Sequence, residues 1–328
     1  MTRRLAVLLC WLGMSNGLSA ETNARKELYV PMDYSTCGYH ASEQALPDVA
    51  EAVRVTWHEG DCSATIQQAI DRVSQLKPNR QGHRGAVVMG EGVFRLDRPL
   101  RIGASGVVLR GMGSGKTILV KHGVARGALV YVEGSGVDAT GSATTDTLFI
   151  DADKVMAGST ALPVHHRSGG EPLKAGDRID IVRPCTKEWI LSLAMNDFGG
   201  GLDYTGWKPT DIDISWDRTI TAIHGDTIVV DAPVTTTISR TFGGAYIVRH
   251  QRGGELTECG VEHITLASAV NDWNAKDEDH CWDGIFMEHV RDCWVRHVDF
   301  RHFAGSAVSL QKETSRITVE DCISSEPV

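Results

Sequence analysis

Between Asn271 and Asp283 the chain carries five carboxylates, Lys276, His280 and two tryptophans within thirteen residues. Arg301, His302 and Phe303 follow one repeat later. This mixture suits two kinds of sugar chemistry. Removing the proton beside a uronate carboxylate needs a base at that carbon and positive charge to hold the developing enolate. His280 or His302 is the proton-transfer candidate, and Arg301, Lys276 or a bound Ca2+ ion would neutralise the charge. Hydrolysis of a glycosidic bond needs instead two carboxyl groups, an acid and a base or nucleophile. Asp277, Glu278, Asp279 and Asp283 are read either as calcium ligands, the first three above all, or as such a pair. Trp273 and Trp282 offer flat faces to sugar rings. The plain alternative is a solvated acidic loop with His280 as an ordinary hydrogen-bonding partner.

These residues need a frame that repeats. Cys259, Val261 and Ile264 fall in the same columns as Cys293, Val295 and Val298, and again as Ile317, Val319 and Cys322. The steps are 34 and 24 residues, and the longer one contains the acidic segment as an insertion. Ile285 and Met287 align likewise with Val308 and Leu310. A period in the twenties with β-branched residues in columns predicts a β-solenoid, in which each coil buries its core against the next. Arg296-His297 would then be a two-residue corner, which places His297 away from the cleft. Strand alternation points Phe286, Glu288, Ser309 and Gln311 outward on the cleft wall, with Glu288 and Gln311 as substrate contacts. His165-His166 has no partner at ligand spacing.

Upstream, Ile66, Ala69, Ile70, Val73 and Leu76 mark one helical face behind Asp61 or Ser63 as N-cap. Short β-runs follow over 86–89, 93–96, 100–102, 107–109 and 118–120. Residues 175–182 and 219–230 read as further strands, the latter a hairpin around His224-Gly225-Asp226, so 160–245 forms a β-rich insertion. Gly111 to Thr117 falls one residue short of a phosphate loop, because Arg110 stands where the first glycine belongs. It is read as a turn between coils.

Arg3 and Arg4 ahead of the apolar run Leu5 to Leu12, with Ala20 at the cut, form a secretory signal over residues 1–20. The protein is therefore expected to be secreted or periplasmic, and no segment reaches the roughly 20 apolar residues of a membrane span. A net charge of −9 argues against nucleic acid as a partner. Seven cysteines remain beyond the signal, none at CxxC spacing, so a zinc ribbon is disfavoured. Cys259 and Cys293 share a column and are read as apolar fillers, with a disulfide as the alternative.

The segment Asp61-Cys-Ser-Ala-Thr-Ile-Gln-Gln-Ala-Ile70, with Gly85 to Met89, Gly92 to Leu96 and Ser105 to Gly113, resembles the opening of pectate-lyase-like right-handed parallel β-helices of the rhamnogalacturonase- and epimerase-like branch. The resemblance implies an all-β, right-handed parallel β-helix with an N-terminal capping helix. The expected organisation is a cap and first coils over 21–159, the insertion over 160–245, and further coils over 246–328. It also implies a polysaccharide partner, acted on by β-elimination or hydrolysis; a carbohydrate-binding or adhesin-like solenoid without turnover is the alternative. No catalytic signature of the family transfers residue by residue. Too few residues follow Cys322 for a closing cap, which predicts a truncated coil or self-association through its open end.

Overall fold

The computed structural model describes residues 31–136, 147–166, 172–199, 206–209, 213–250, 253–271, 273–274 and 276–327. The expected signal peptide lies outside them. The chain divides into two compact units, Ser35–Thr140 with Gln251–Val328, and Met1–Tyr34 with Gly141–His250.

The strands in chain order are β1 (Glu51–Val55), β2 (Gly85–Met89), β3 (Gly92–Leu96), β4 (Leu100–Ile102), β5 (Val107–Arg110), β6 (Thr117–Lys121) and β7 (Ala128–Glu133). The second unit supplies β8 (Leu148–Ile150), β9 (Lys154–Val155), β10 (Ala161–His166), β11 (Arg178–Arg183), β12 (Ile214–His224), β13 (Thr227–Val230), β14 (Ile238–Ser239) and β15 (Tyr246–Arg249). The first unit resumes with β16 (Leu256–Thr257), β17 (Gly260–Ser268), β18 (Asp283–Glu288), β19 (Val290–Arg301), β20 (Val308–Leu310), β21 (Thr314–Glu320) and β22 (Ile323–Ser325).

In the first unit every pairing between these strands is parallel, and from β2 to β7 the chain passes through three stacks in turn, while β1 pairs beside β2 at the start of the first. One stack aligns Ala86, Val108, Gly260, Trp294 and Thr318 across β2, β5, β17, β19 and β21. A second aligns Arg95, Val120, Ala267, Arg301 and Ser325 across β3, β6, β17, β19 and β22. The third aligns Arg101, Tyr131, Phe286 and Ser309 across β4, β7, β18 and β20. This is a solenoid of parallel coils. The columns expected from sequence are its core: Val261 pairs with Val295 and Val295 with Val319, while Ile264 pairs with Val298. Val261, Ile264, Val295 and Val298 are fully buried, whereas Val319 on β21 remains 45% exposed.

The corners explain the period. His263, His297 and Asp321 all have φ between 50° and 55°, and Glu258, Asp292 and Arg316 between 50° and 59°. Each trio is spaced by 34 and 24 residues, so left-handed corners recur where the sequence repeats. The His263 and His297 rings stack at 4.7 Å. The glycine-rich turn after β5 is the corresponding corner one coil earlier: the N–H of Gly111 donates to Glu262 O and that of Gly113 to His263 O. A side chain at Gly111 would come within 2.4 Å of His263 O, so this glycine serves coil stacking.

Helix α1 (Ser63–Ser74) buries Ile66, Ala69, Ile70 and Val73 in the same core as the coils. It ends before Leu76, which is 41% exposed. Asp61 Oδ1 accepts from the N–H of Ser63 at 2.9 Å and of Asp97 at 3.1 Å, joining the helix start to the turn after β3. The described cysteines are all free thiols, with Cys259 and Cys293 fully buried in the core and Cys37 exposed.

The second unit is a closed barrel in the order β10-β13-β12-β11-β15-β8, with antiparallel neighbours. The β12–β13 hairpin turns at Gly225-Asp226, as its sequence suggests. Ile179, Ile181, Trp216, Ile220, Ile228 and Ile247 point into its own core. Barrel closure is not legible from the local strand pattern. The short helix α2 (Lys187–Ser192) follows β11, capped by Thr186 Oγ1, which accepts from the N–H of Trp189.

Candidate functional site

The outward face of β4, β7, β18 and β20 gathers the sugar-compatible side chains. Parallel pairing without stagger puts like positions on neighbouring coils side by side, about 4.8 Å apart. Arg101, Tyr131, Phe286 and Ser309 form one ladder. The Arg101 guanidinium lies 4.2 Å from the Tyr131 ring centroid, and the Tyr131 and Phe286 rings are 5.5 Å apart. Two positions along, Glu133 on β7 pairs with Glu288 on β18. Arg101 Nη1 donates to Glu133 Oε2 at 2.5 Å, fixing that carboxylate. Glu288 Oε1 lies 3.9 Å from His289 Nε2. Gln311 is exposed and its Nε2 donates to Ser309 Oγ at 2.7 Å. Of these residues, sequence alternation identified Phe286, Glu288, Ser309 and Gln311. Arg101, Tyr131 and Glu133 were missed, because the coil that carries them is separated from β18 by the whole second unit.

The acidic segment borders this face at β18. Asp279 accepts from Arg126 Nη2 at 2.7 Å and Nε at 3.1 Å, and the Arg126 guanidinium lies 5.3 Å from the Trp282 ring. Trp282 Nε1 donates to Glu278 O. Asp283 Oδ1 accepts from the N–H of Ser306 at 2.9 Å and so holds the next coil's turn. Trp273 is 97% exposed and Lys276 is also exposed.

The two histidines occupy different settings. His280 is 1% exposed, its Nδ1 2.8 Å from Ser268 Oγ, and its Nε2 has no hydrogen-bond partner. Ser268 Oγ also accepts from the N–H of Cys281 at 3.1 Å. Lys121 pairs with Ser268 in the coil stack and is 3% exposed, its ammonium donating to His122 O. Nearby Cys281 has its thiol pushed up to about 12, chiefly by burial, with Lys121 opposing. His302 lies instead at the end of β19, its Nε2 3.3 Å from Glu326 Oε2, and Arg301 Nη2 is 3.9 Å from Asp299 Oδ2.

The carboxylates of 277–279 do not converge as a ligand set. Asp277 Oδ1 accepts from the N–H of Asp279, and Asp279 is bound to Arg126. Among the described residues, the one group of three with mutually close ligand atoms is Asp180, Asp217 and His250, in the barrel. There His250 Nδ1 lies 3.1 Å from Asp180 Oδ1, and Arg178 holds Asp217.

Two further clusters in the coil unit carry no sequence signal. Glu262, with no exposed surface, accepts from Trp294 Nε1 at 2.9 Å, Arg110 Nε at 2.5 Å and Arg296 Nε at 2.7 Å. Burial works to raise its carboxyl pKa, but Trp294, Arg110 and Arg296 together hold it below the ordinary value. Glu258 accepts from Tyr39 Oη at 2.5 Å, with His40 Nε2 at 2.7 Å and His83 Nε2 at 3.0 Å. Burial, then the bond to Glu258, pushes the Tyr39 phenol well above its usual range.

No helix of the described residues is long and apolar enough to cross a membrane. No protein-family model matches the chain, and no curated protein does. Among solved structures, the chain is similar to the tailspike gp49 of Pseudomonas phage LKA1, with 15% identity and TM-score 0.42 over 79% of this chain and 38% of that one. It is also similar to the gp54 tailspike of Acinetobacter baumannii phage AP22, in complex with capsular saccharide, with 9% identity and TM-score 0.36 over 82% and 44%. The A-module of the mannuronan C-5 epimerase AlgE4 of Azotobacter vinelandii gives 12% identity and TM-score 0.36 over 86% and 44%. The chain thus spans less than half the length of each of these structures. Its class rests on its own strand pairing, an all-β protein whose first unit is a solenoid of parallel coils.

Proposed function

We propose that this is an exported polysaccharide-acting protein whose substrate lies across β4, β7, β18 and β20. The coil is read as right-handed, the hand of nearly all crossovers between parallel strands, with α1 covering its first turn. The observation that carries the functional reading is the Glu133–Glu288 pair beside the Arg101–Tyr131–Phe286 ladder. Glu133 and Glu288 stand at paired positions on neighbouring coils, whose backbones lie about 4.8 Å apart, a separation that suits the roughly 5 Å between acid and nucleophile in retaining glycoside hydrolysis. Glu133, fixed by Arg101, suits the nucleophile, and Glu288 suits the proton donor. Tyr131 and Phe286 supply a sugar-stacking surface, and Trp282 with Arg126 extends it. No step runs through calcium.

One observation favours β-elimination as a second reading: Arg101 sits directly on Tyr131, bringing a cation and a phenol to the same face. The test is a panel of neutral and uronate-containing polysaccharides, watched for reducing ends and for the ultraviolet absorbance of unsaturated uronates. Reducing ends alone, abolished by Glu288→Gln, support hydrolysis; the absorbance, abolished by Tyr131→Phe, supports elimination. Binding without either product, lost in Tyr131→Ala, leaves a carbohydrate-binding solenoid. No binding to any glycan overturns the proposal.

A further inference from the structure

The barrel carries a row of rings on its outer surface. Leu148, Ile150, Val164 and Ile247 point into its core, so strand alternation turns Phe149, His165 and Tyr246 outward. Pairing sets the three side by side, Tyr246 against Phe149 and Phe149 against His165. The Phe149 and His165 rings stack with centroids 5.7 Å apart and planes 19° from parallel. The core does not use these side chains, and rings on the solvent side of a sheet offer a stacking surface to a ligand.

Phe149 and His165 line a groove of about 550 Å³ with Asp151, Arg240, Gly243 and Gly244, within the roughly 300–1,000 Å³ of small-molecule clefts. One wall is open because it is glycine. The turn Arg240–Phe242 ends at Gly243, with φ 94°, and Gly244 follows at φ 64°. A Cβ on Gly244 would meet nothing within 4 Å, whereas one on Gly243 would lie 2.6 Å from the Thr186 methyl, so that side of the turn is packed and the other faces free space. Asp151 follows Phe149 by two positions on the same strand edge. Arg240 Nη2 donates to Asp151 Oδ1 at 3.3 Å, and Arg240 Nε lies 3.3 Å from Asp153 Oδ1. These contacts leave Nη1 for a ligand. A carboxylate accepts from hydroxyls and a guanidinium donates to them, so the pair meets both needs of neighbouring hydroxyls beside a ring surface. Two carboxylates around one guanidinium leave the groove short of positive charge, which disfavours an anionic ligand.

We propose that this groove is a sugar-binding site of the barrel, taking one neutral pyranose unit with its apolar face on Phe149 and His165 and its hydroxyls on Asp151 and Arg240. The site is separate from the coil face, and its test is run with that face disabled, so either reading can fail without the other.

The test is saturation-transfer NMR titration of the full chain carrying Tyr131→Ala, at about pH 8, where imidazoles are neutral. The probes are the methyl glycosides of glucose, galactose, mannose and N-acetylglucosamine, with methyl galacturonoside as the anionic comparison. At least one neutral probe should bind, and the galacturonoside at least about fivefold more weakly than its galactose counterpart. Phe149→Ala should weaken the neutral probe about fivefold or more. Phe149→Leu keeps an apolar side chain without the ring, protects against a loss of folding, and should weaken it to a similar degree. Asp151→Asn with Asp153→Asn strips Arg240 of its counter-charges and should bring the galacturonoside at least level with the galactoside. The proposal is overturned if no neutral probe binds, if the anionic probe binds better in the parent, if binding is unchanged in Phe149→Leu, or if the double Asn variant leaves the preference where it was.

Discussion

Replacing Glu262 by Gln keeps the shape and removes the charge from a fully buried carboxylate that binds Trp294, Arg110 and Arg296. The two arginines are only 17% and 15% exposed, so solvent compensates them poorly. Breaking one side of a buried pair costs about 3–5 kcal/mol. Arg110 keeps Asp48 at 3.1 Å, but that carboxylate is 93% exposed and returns less than about 1 kcal/mol. The expected loss is therefore about 3 kcal/mol, read from urea unfolding, which avoids the screening that guanidinium salt imposes. The pH dependence gives a second measure. Glu262 is more acidic folded than its ordinary value of 4.5, so its contribution is complete above that value and is lost as pH falls through the lower folded one. The gap between parent and Glu262→Gln should hence be constant above about pH 5 and shrink on further acidification. A gap under about 1 kcal/mol at neutral pH, or one that does not change with acid, would refute the argument.

His280→Ala should lower the melting midpoint by the equivalent of about 1–2 kcal/mol, because it removes a buried hydrogen-bond partner of Ser268 and opens a void, whereas His302→Ala should leave it nearly unchanged. At the left-handed corner Asp321, with φ 50°, valine should be less stable than glycine by about 1–2 kcal/mol in thermal denaturation. A maleimide at neutral pH should label exposed Cys37 quickly in the folded protein and Cys281 only after denaturation, since burial holds that thiol up at about 12. Rapid native labelling of Cys281 would contradict its placement.

The coil core was legible because each coil repeats the same burial problem. Val261, Val295 and Val319 fall in one column for the same reason they pair in one stack, and His297 was readable as a corner from its place between two strand patterns. What escaped was every partner across a long sequence gap. β17 pairs with β5 and β6, yet 126 residues separate Glu133 from Gly260, so nothing local sets Glu133 beside Glu288. The acidic segment shows the opposite difficulty. Its composition is conspicuous, but composition does not give direction: His280 turns inward to Ser268, and Asp279 and Asp283 hold Arg126 and the Ser306 turn.

The same gap accounts for the buried acids. Columns of valine and isoleucine are nearly interchangeable from coil to coil, so apolar packing alone distinguishes the correct neighbour of β17 weakly from one displaced by a coil. Glu258 and Glu262 flank the start of β17, and each is met by groups from distant segments: Tyr39, His40 and His83 for one, Arg110 and Arg296 for the other. A slip by one coil would leave either carboxylate buried without its partners, at a cost of several kcal/mol. Little net stability is required of these pairs for them to set register. Their placement at the strand where the chain resumes its coil after a long excursion is where such discrimination has most effect, and it fixes β18, with Glu288, against β7, with Glu133.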